Sequence, residues 1–101
     1  MQQIPLTAVP IQRLAVTLDG QACSVEVRQN GPRMYLSLWL NDQMILGARV
    51  CRDRSLMLTG AHYRGFAGDL MWVDNSAFDD PQWWGLAGRW SLIYLTPAEA
   101  P

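Results

Sequence analysis

The stretch from Arg13 to Val27, RLAVTLDGQACSVEV, constrains the fold more than any other part of the chain. Apolar and polar residues alternate on both sides of an Asp19-Gly20 pair, which is the pattern of two half-buried β-strands. Asp-Gly favours a two-residue type I′ turn, because both central positions of that turn need a positive φ. The stretch therefore predicts a β-hairpin. The residues predicted to line its apolar face are Leu14, Val16, Leu18, Cys23, Val25 and Val27.

A second strand pair is predicted after the turn residues Asn30-Gly31-Pro32. The run RMYLSLWLN places Met34, Leu36, Leu38 and Leu40 on one face and Tyr35, Ser37 and Trp39 on the other. This strand is partly apolar on both faces. Such a pattern suits a central strand or one covered by a neighbouring subunit.

Turn signals continue through the rest of the chain at intervals of roughly eight to twelve residues, which is typical of an all-β domain. Further strands are predicted in the runs at 44–51, 56–59, 70–73 and 89–96, and the segment 76–88 is predicted to be a loop or short helical turn. Within that segment, Asp79-Asp80-Pro81 resembles a helix start. Together these segments predict a small antiparallel β-barrel or β-sandwich of about seven to eight short strands with little helix.

A length of 101 residues fits one domain. We expect an extended arm at 1–11, a single β-domain at 12–96 and a flexible tail at 97–101. Pro5 and Pro10 exclude a helix in the arm, and an extended path turns Ile4 and Leu6 to one side. The arm is predicted to dock either on the domain's own sheet or on a neighbouring subunit.

Charge argues against several classes of partner. The formal net charge is −1. The sequence therefore shows neither the excess of positive charge that binds nucleic acid nor a polybasic segment that binds a membrane surface. No apolar run approaches the roughly 20 residues of a membrane span, and the N-terminus lacks the basic region of a signal peptide. We therefore expect the protein to stay in the cytoplasm until it is assembled.

Residues for catalysis or metal binding are sparse. His62 is the single histidine, and no nucleophile pattern accompanies it. The adjacent Asp79 and Asp80 suit a turn better than an acid and base pair. Cys23 and Cys51 lack the clustered spacing of a zinc site and are expected to be buried apolar side chains. We predict no enzyme activity, no cofactor and no metal.

Aromatic and arginine residues point instead to protein contacts. The chain has five tryptophans, and all eight of its cationic residues are arginines. Both residue types are enriched in protein interfaces. Ring-forming subunits need two different complementary patches. For these patches we predict Trp39 on a strand and Trp83 and Trp84 on a loop, with Ile4 and Leu6 as contacts of the arm.

Several short motifs follow one another along nearly the whole chain. They are IPL at 4–6 with Pro10-Ile11-Gln12, VTLDGQ at 16–21, the mid-chain strand pair, GDL at 68–70 and WWGLAGRWSLIYL at 83–95. Their order and spacing resemble the baseplate plug proteins of contractile-tailed phages. The bulky Trp83-Trp84 pair departs from what that family leads us to expect in its loop.

The resemblance implies a non-enzymatic virion protein, assembled in the host cytoplasm and placed near the central channel of the tail baseplate. It further implies several copies around the tail axis, in contact with baseplate, hub and tube proteins. The family brings no catalytic residue to transfer to this chain. The alternative is a small ligand-binding or glycan-binding β-module, in which loop tryptophans would serve as platforms.

Overall fold

The structure is a computed structural model that describes residues 2–58, 66–86 and 88–99. Strands dominate this part of the chain, as predicted. Their bounds are β1 Gln2–Ile4, β2 Ile11–Leu18, β3 Gln21–Asn30, β4 Arg33–Leu40, β5 Gln43–Val50, β6 Asp69–Asp74 and β7 Trp90–Leu95.

The strands form two antiparallel sheets. One sheet has four strands in the order β2-β3-β4-β5, and the other has three in the order β1-β7-β6. The described strands do not close into a barrel, and buried side chains from both sheets share one core. The prediction of an all-β domain is confirmed, and the arrangement fits the sandwich alternative.

Tight turns with positive φ values connect strands of the four-stranded sheet. Asp19 and Gly20 have φ values of 52° and 76°, as a type I′ turn requires. Asn41 and Asp42 repeat this at the β4–β5 turn, with φ values of 51° and 65°. The predicted hairpin is confirmed, and its register runs without a break from Ile11 opposite Arg28 to Leu18 opposite Gln21.

The core takes alternate residues from each strand, as the period of two predicts. Trp72, Trp90 and Tyr94 are the largest side chains buried in it. Cys23 and Cys51 are also buried and carry free thiols. Burial raises the pKa of the Cys51 thiol to about 12, so this thiol stays protonated and unreactive at neutral pH.

The N-terminal segment packs on its own chain. β1 pairs antiparallel with β7, with Gln2 opposite Tyr94, and Ile4 and Leu6 are only 1% and 5% exposed. The segment is also tied to β2, because the Gln12 side chain accepts from the Thr7 N–H at 3.0 Å and donates to the Thr7 carbonyl at 2.6 Å. Of the two predicted docking sites for the arm, the structure shows the one on the domain's own sheet.

We expect Leu6→Ala to lower the free energy of unfolding by about 2 kcal/mol, near the low end for a buried leucine because the segment can partly collapse into the space. Val9 is exposed in the same segment, so Val9→Ala serves as the matched control and should change stability by less than about 0.5 kcal/mol. Urea unfolding measures both. Equal effects of the two substitutions would show that the segment is not docked.

Two local predictions were wrong. The run at 56–59 does not form a regular strand over its described residues; Asp53 and Leu56 instead make isolated bridges to Trp72 and Met71 of β6. Asp79-Asp80-Pro81 does not start a helix, since the short 3-10 helix spans Trp83–Gly85. The carboxylates of Asp79 and Asp80 are engaged elsewhere, by Arg89 and by the Asp53 N–H.

Candidate interaction surface

The loop at 75–89, called here the β6–β7 loop, is held in place by a buried carboxylate. Asp74 ends β6 and is 1% exposed. Its two carboxylate oxygens accept hydrogen bonds from the backbone N–H groups of Ser76, Ala77 and Asp79, at 2.9, 3.1 and 3.0 Å. One side chain thereby fixes the first turn of the loop.

Arg89, at the far end of the same loop, closes this arrangement. Its Nε and Nη2 lie 3.0 and 2.9 Å from the two oxygens of Asp74, and Nη2 also lies 2.6 Å from Asp79 Oδ2. A two-point arginine–carboxylate contact is strong and directional. It holds the pKa of Asp74 well below its usual range, so the pair stays charged and the two ends of the loop stay joined.

This ion pair predicts an acid-sensitive contribution to stability. A carboxyl group with a lowered folded-state pKa stabilises the protein fully above its ordinary pKa, near 3.8, and loses that contribution as the pH falls toward the folded-state value. We expect the free energy of unfolding to decline below about pH 5, and Arg89→Gln to flatten the decline. Urea unfolding between pH 2 and pH 7 measures it.

Arg33→Gln is the control, because Arg33 meets Asp80 at 3.7 Å on the exposed surface. Such pairs contribute little to stability. The Arg33 variant should keep the parental pH slope. Identical slopes in all three proteins would contradict the assigned role of Arg89.

Two glutamines tie the loop to the other sheet. Gln82 Nε2 donates to the Pro32 carbonyl at 2.9 Å, in the β3–β4 turn, and its Oε1 accepts from Gln29 Nε2 at 2.8 Å. Gln29 Oε1 accepts from the Trp83 N–H at 3.1 Å. The loop therefore spans both layers of the sandwich and is anchored at its middle as well as at its ends.

The anchored loop displays two aromatic side chains. Trp84 is 56% exposed and packs edge-on against the buried Trp90, with ring centroids 4.9 Å apart. Phe78 is 81% exposed and lies under the guanidinium of Arg54, at 4.6 Å. The Arg89 guanidinium stands 4.4 Å over the Trp90 ring. We call Phe78, Trp84, Arg54 and Arg89 the loop patch.

A cleft of about 380 Å³ lies beside Trp84 and is lined by Pro32, Arg33, Asp79, Asp80, Gln82, Trp84, Arg89 and Trp90. Its charged side chains are of both signs, and Asp79 is bonded to Arg89. Among the residues that the structure describes, no group of three metal-ligating side chains is found.

The predicted contact residues lie in different environments, some on the surface and some in the core. Trp84 lies in the loop patch, whereas Trp83 packs partly against the core. Trp39 is half-buried on the outer face of the four-stranded sheet, under the Arg13 guanidinium at 4.0 Å. Ile4 and Leu6 are buried in this chain's own core, so neither side chain is exposed for a second protein.

Sequence reasoning missed Phe78 and the arginines around it. Phe78 lies between turn-forming Ser76 and Asp79-Asp80-Pro81, so the sequence predicts a loop position for it but gives no signal that singles it out. His62 lies outside the described residues, as does the end of the predicted tail. In the described ranges, no helix is long and apolar enough to span a bilayer.

The chain matches the model of a known protein family. A protein-family model described as "Cyanophage baseplate Pam3 plug gp18" matches residues 1–97. No curated protein matches the chain. The family match thus spans all seven strands and the β6–β7 loop.

Proposed function

This chain belongs to the cyanophage baseplate plug family, and we propose that it acts there as a non-enzymatic structural protein near the hub and central channel of a contractile tail. It works through contacts with neighbouring tail proteins, including hub and tube components. It is assembled in the host cytoplasm and resides in the virion.

The loop patch is the observation that carries this proposal. Tryptophan and arginine are the residues most enriched at binding hot spots. Here they stand on a loop fixed by the Asp74 carboxylate and by Gln82. A surface that is already ordered loses little conformational entropy on binding, so more of the contact energy remains as affinity.

A second surface supports assembly of several copies around the tail axis. Trp39 lies at the other end of β4 from the β3–β4 turn that the loop contacts. Six residues along a strand separate Trp39 from Arg33, which is roughly 20 Å at about 3.3 Å per residue. Two unlike surfaces on one subunit allow head-to-tail contacts, which close into a ring when the rotation permits.

The cleft beside Trp84 favours one alternative, a non-catalytic ligand-binding or glycan-binding module. Exposed tryptophan beside mixed polar groups is a common way to hold a sugar ring or another small polar ligand. Titration of the purified protein with a panel of oligosaccharides separates the two functions, when it is followed by tryptophan fluorescence and compared with a Trp84→Ala variant. Saturable binding by a stable monomer that is absent from virions would favour the alternative.

Quantitative mass spectrometry of purified virions tests the structural function. We expect the protein to be present at a fixed ratio to the tube and hub proteins across independent preparations, and to remain after high-salt washing. Its absence from intact particles would overturn the proposal.

A further inference from the structure

The alternation of hydrogen bonds along β2 shows which of its backbone groups face outward. In an antiparallel pair, alternate residues bond to the partner strand and the others point away from it. The Pro10 carbonyl accepts from the Gln29 N–H at 2.8 Å, so the even-numbered residues bond to β3. The N–H and C=O groups of Ile11, Arg13, Ala15 and Thr17 therefore face the free edge.

This edge is accessible and accepts hydrogen bonds. Gln2 Nε2 donates to the Thr17 carbonyl at 3.2 Å, which confirms that the Thr17 backbone points away from β3. Ile11 is 58% exposed, and Leu14 and Val16 are only partly buried against the core. A strand added here would continue the sheet and complete the cover over these two side chains.

The other sheet edges are obstructed. β5 has two register shifts opposite β4, and Ala48 has a φ of 44° with its N–H bonded to Ser37 Oγ. The segment 53–57 lies along β6, where the Arg54 and Met57 N–H groups bond to β6 carbonyls. β1 has only three residues. Bulges, covering segments and short strands are the usual protections of an edge. β2 is eight residues long with an unbroken register, and among the described residues the outward backbone groups of this strand have one printed bond, from the Gln2 side chain to the Thr17 carbonyl.

We propose that the free edge of β2 binds an extended β-strand supplied by a different baseplate protein. This inference rests on the proposed function. Main-chain hydrogen bonds to a sheet edge require an extended polypeptide as the ligand. A second copy of this chain offers only its own β2 as a long free edge within the described residues, and that pairing is two-fold and closes at two copies. It would not continue around a tail axis.

The edge also sets the pattern of the incoming strand. Its side chains alternate in direction, so every second one lies beside Leu14 and Val16 at the edge of the core and is apolar. The others lie beside Arg13, Ala15 and Thr17 on the outer face. The partner strand is therefore a segment of alternating apolar and polar residues.

Ala15→Pro tests the edge directly. Proline at this position removes an outward N–H that β3 does not use, and its ring obstructs an approaching strand. Ala15→Val is the matched control, because it keeps the N–H and favours a strand. We expect the proline variant to enter particles at least about tenfold less well than the valine variant, a difference of about 1.4 kcal/mol.

Hydrogen exchange gives a readout that does not depend on either variant. In the isolated wild-type protein the outward amides of 11–18 should exchange fast, and in purified virions the same peptide should gain protection. If the protein is present in virions but the peptide exchanges as in the isolated protein, or if both variants enter particles equally, the strand-addition proposal fails and the structural function stands.

Two further outcomes would each overturn one of the proposals. A purified dimer with protected 11–18, converted to monomer by Ala15→Pro, would identify a second copy as the occupant and overturn the proposal. Absence of the wild-type protein from virions would overturn the structural function itself.

Discussion

Replacing Phe78 and Trp84 together with alanine is expected to reduce incorporation of the protein into particles by about a hundredfold or more, because truncating a central hot-spot residue typically weakens binding by 2 kcal/mol or more. Both side chains are exposed on the loop patch, so the substitutions chiefly remove contact area from the surface; Trp84 also packs against the buried Trp90. The measurement is the ratio of this protein to tube protein in purified virions.

Val9→Ala is the control for this pair, because Val9 is an exposed apolar residue on a different segment. It should enter particles as the parent does. Circular dichroism should show the same fold in all three proteins. Unchanged incorporation of the double variant would show that the loop patch is not the assembly surface.

Gly68→Ala is expected to destabilise the domain by about 3 kcal/mol or more, from overpacking together with a left-handed backbone that a side chain disfavours. Gly68 has a φ of 100°, and a Cβ there would stand 2.3 Å from the Leu95 carbonyl oxygen and 2.6 Å from Tyr94 Oη. Both atoms belong to β7, at the centre of the three-stranded sheet, and a backbone carbonyl cannot easily move aside.

Gly20→Ala separates the effect of overpacking from the effect of the left-handed backbone. Gly20 also has a positive φ, of 76°, but nothing lies within 4 Å of an added Cβ. Its substitution should cost only about 1–2 kcal/mol, from the left-handed conformation alone. Thermal and urea unfolding measure both variants. A Gly68 variant no less stable than the Gly20 variant would contradict the close contact with β7.

The sequence predicted what depends on neighbouring residues. Asp19-Gly20 set a turn whose φ values are those of its type, and the alternation from Leu14 to Val27 set the inward face of the hairpin. The apolar face of β4 was likewise readable, since Met34, Leu36 and Leu38 are fully buried. These features follow from a period of two and from turn chemistry.

What the sequence did not predict depends on residues distant in the chain. The division into two sheets depends on which distant strands pair, since β1 pairs with β7, about ninety residues away, while β2 pairs with β3. Asp79 and Asp80 look like a helix start because local rules favour it, yet Arg89 and Asp53 engage them. No local pattern foretells the Asp74–Arg89 contact that fixes the loop patch.

Photo-crosslinking from position 84 in assembled particles tests the central claim most directly. A photoreactive phenylalanine analogue in place of Trp84 should form adducts with another tail protein in purified virions, whereas the same group at Gln3, which is exposed on β1, serves as the control and should give few. Particles that contain the protein but yield no adduct from position 84, or equal adducts from both positions, would contradict a baseplate role exerted through the loop patch.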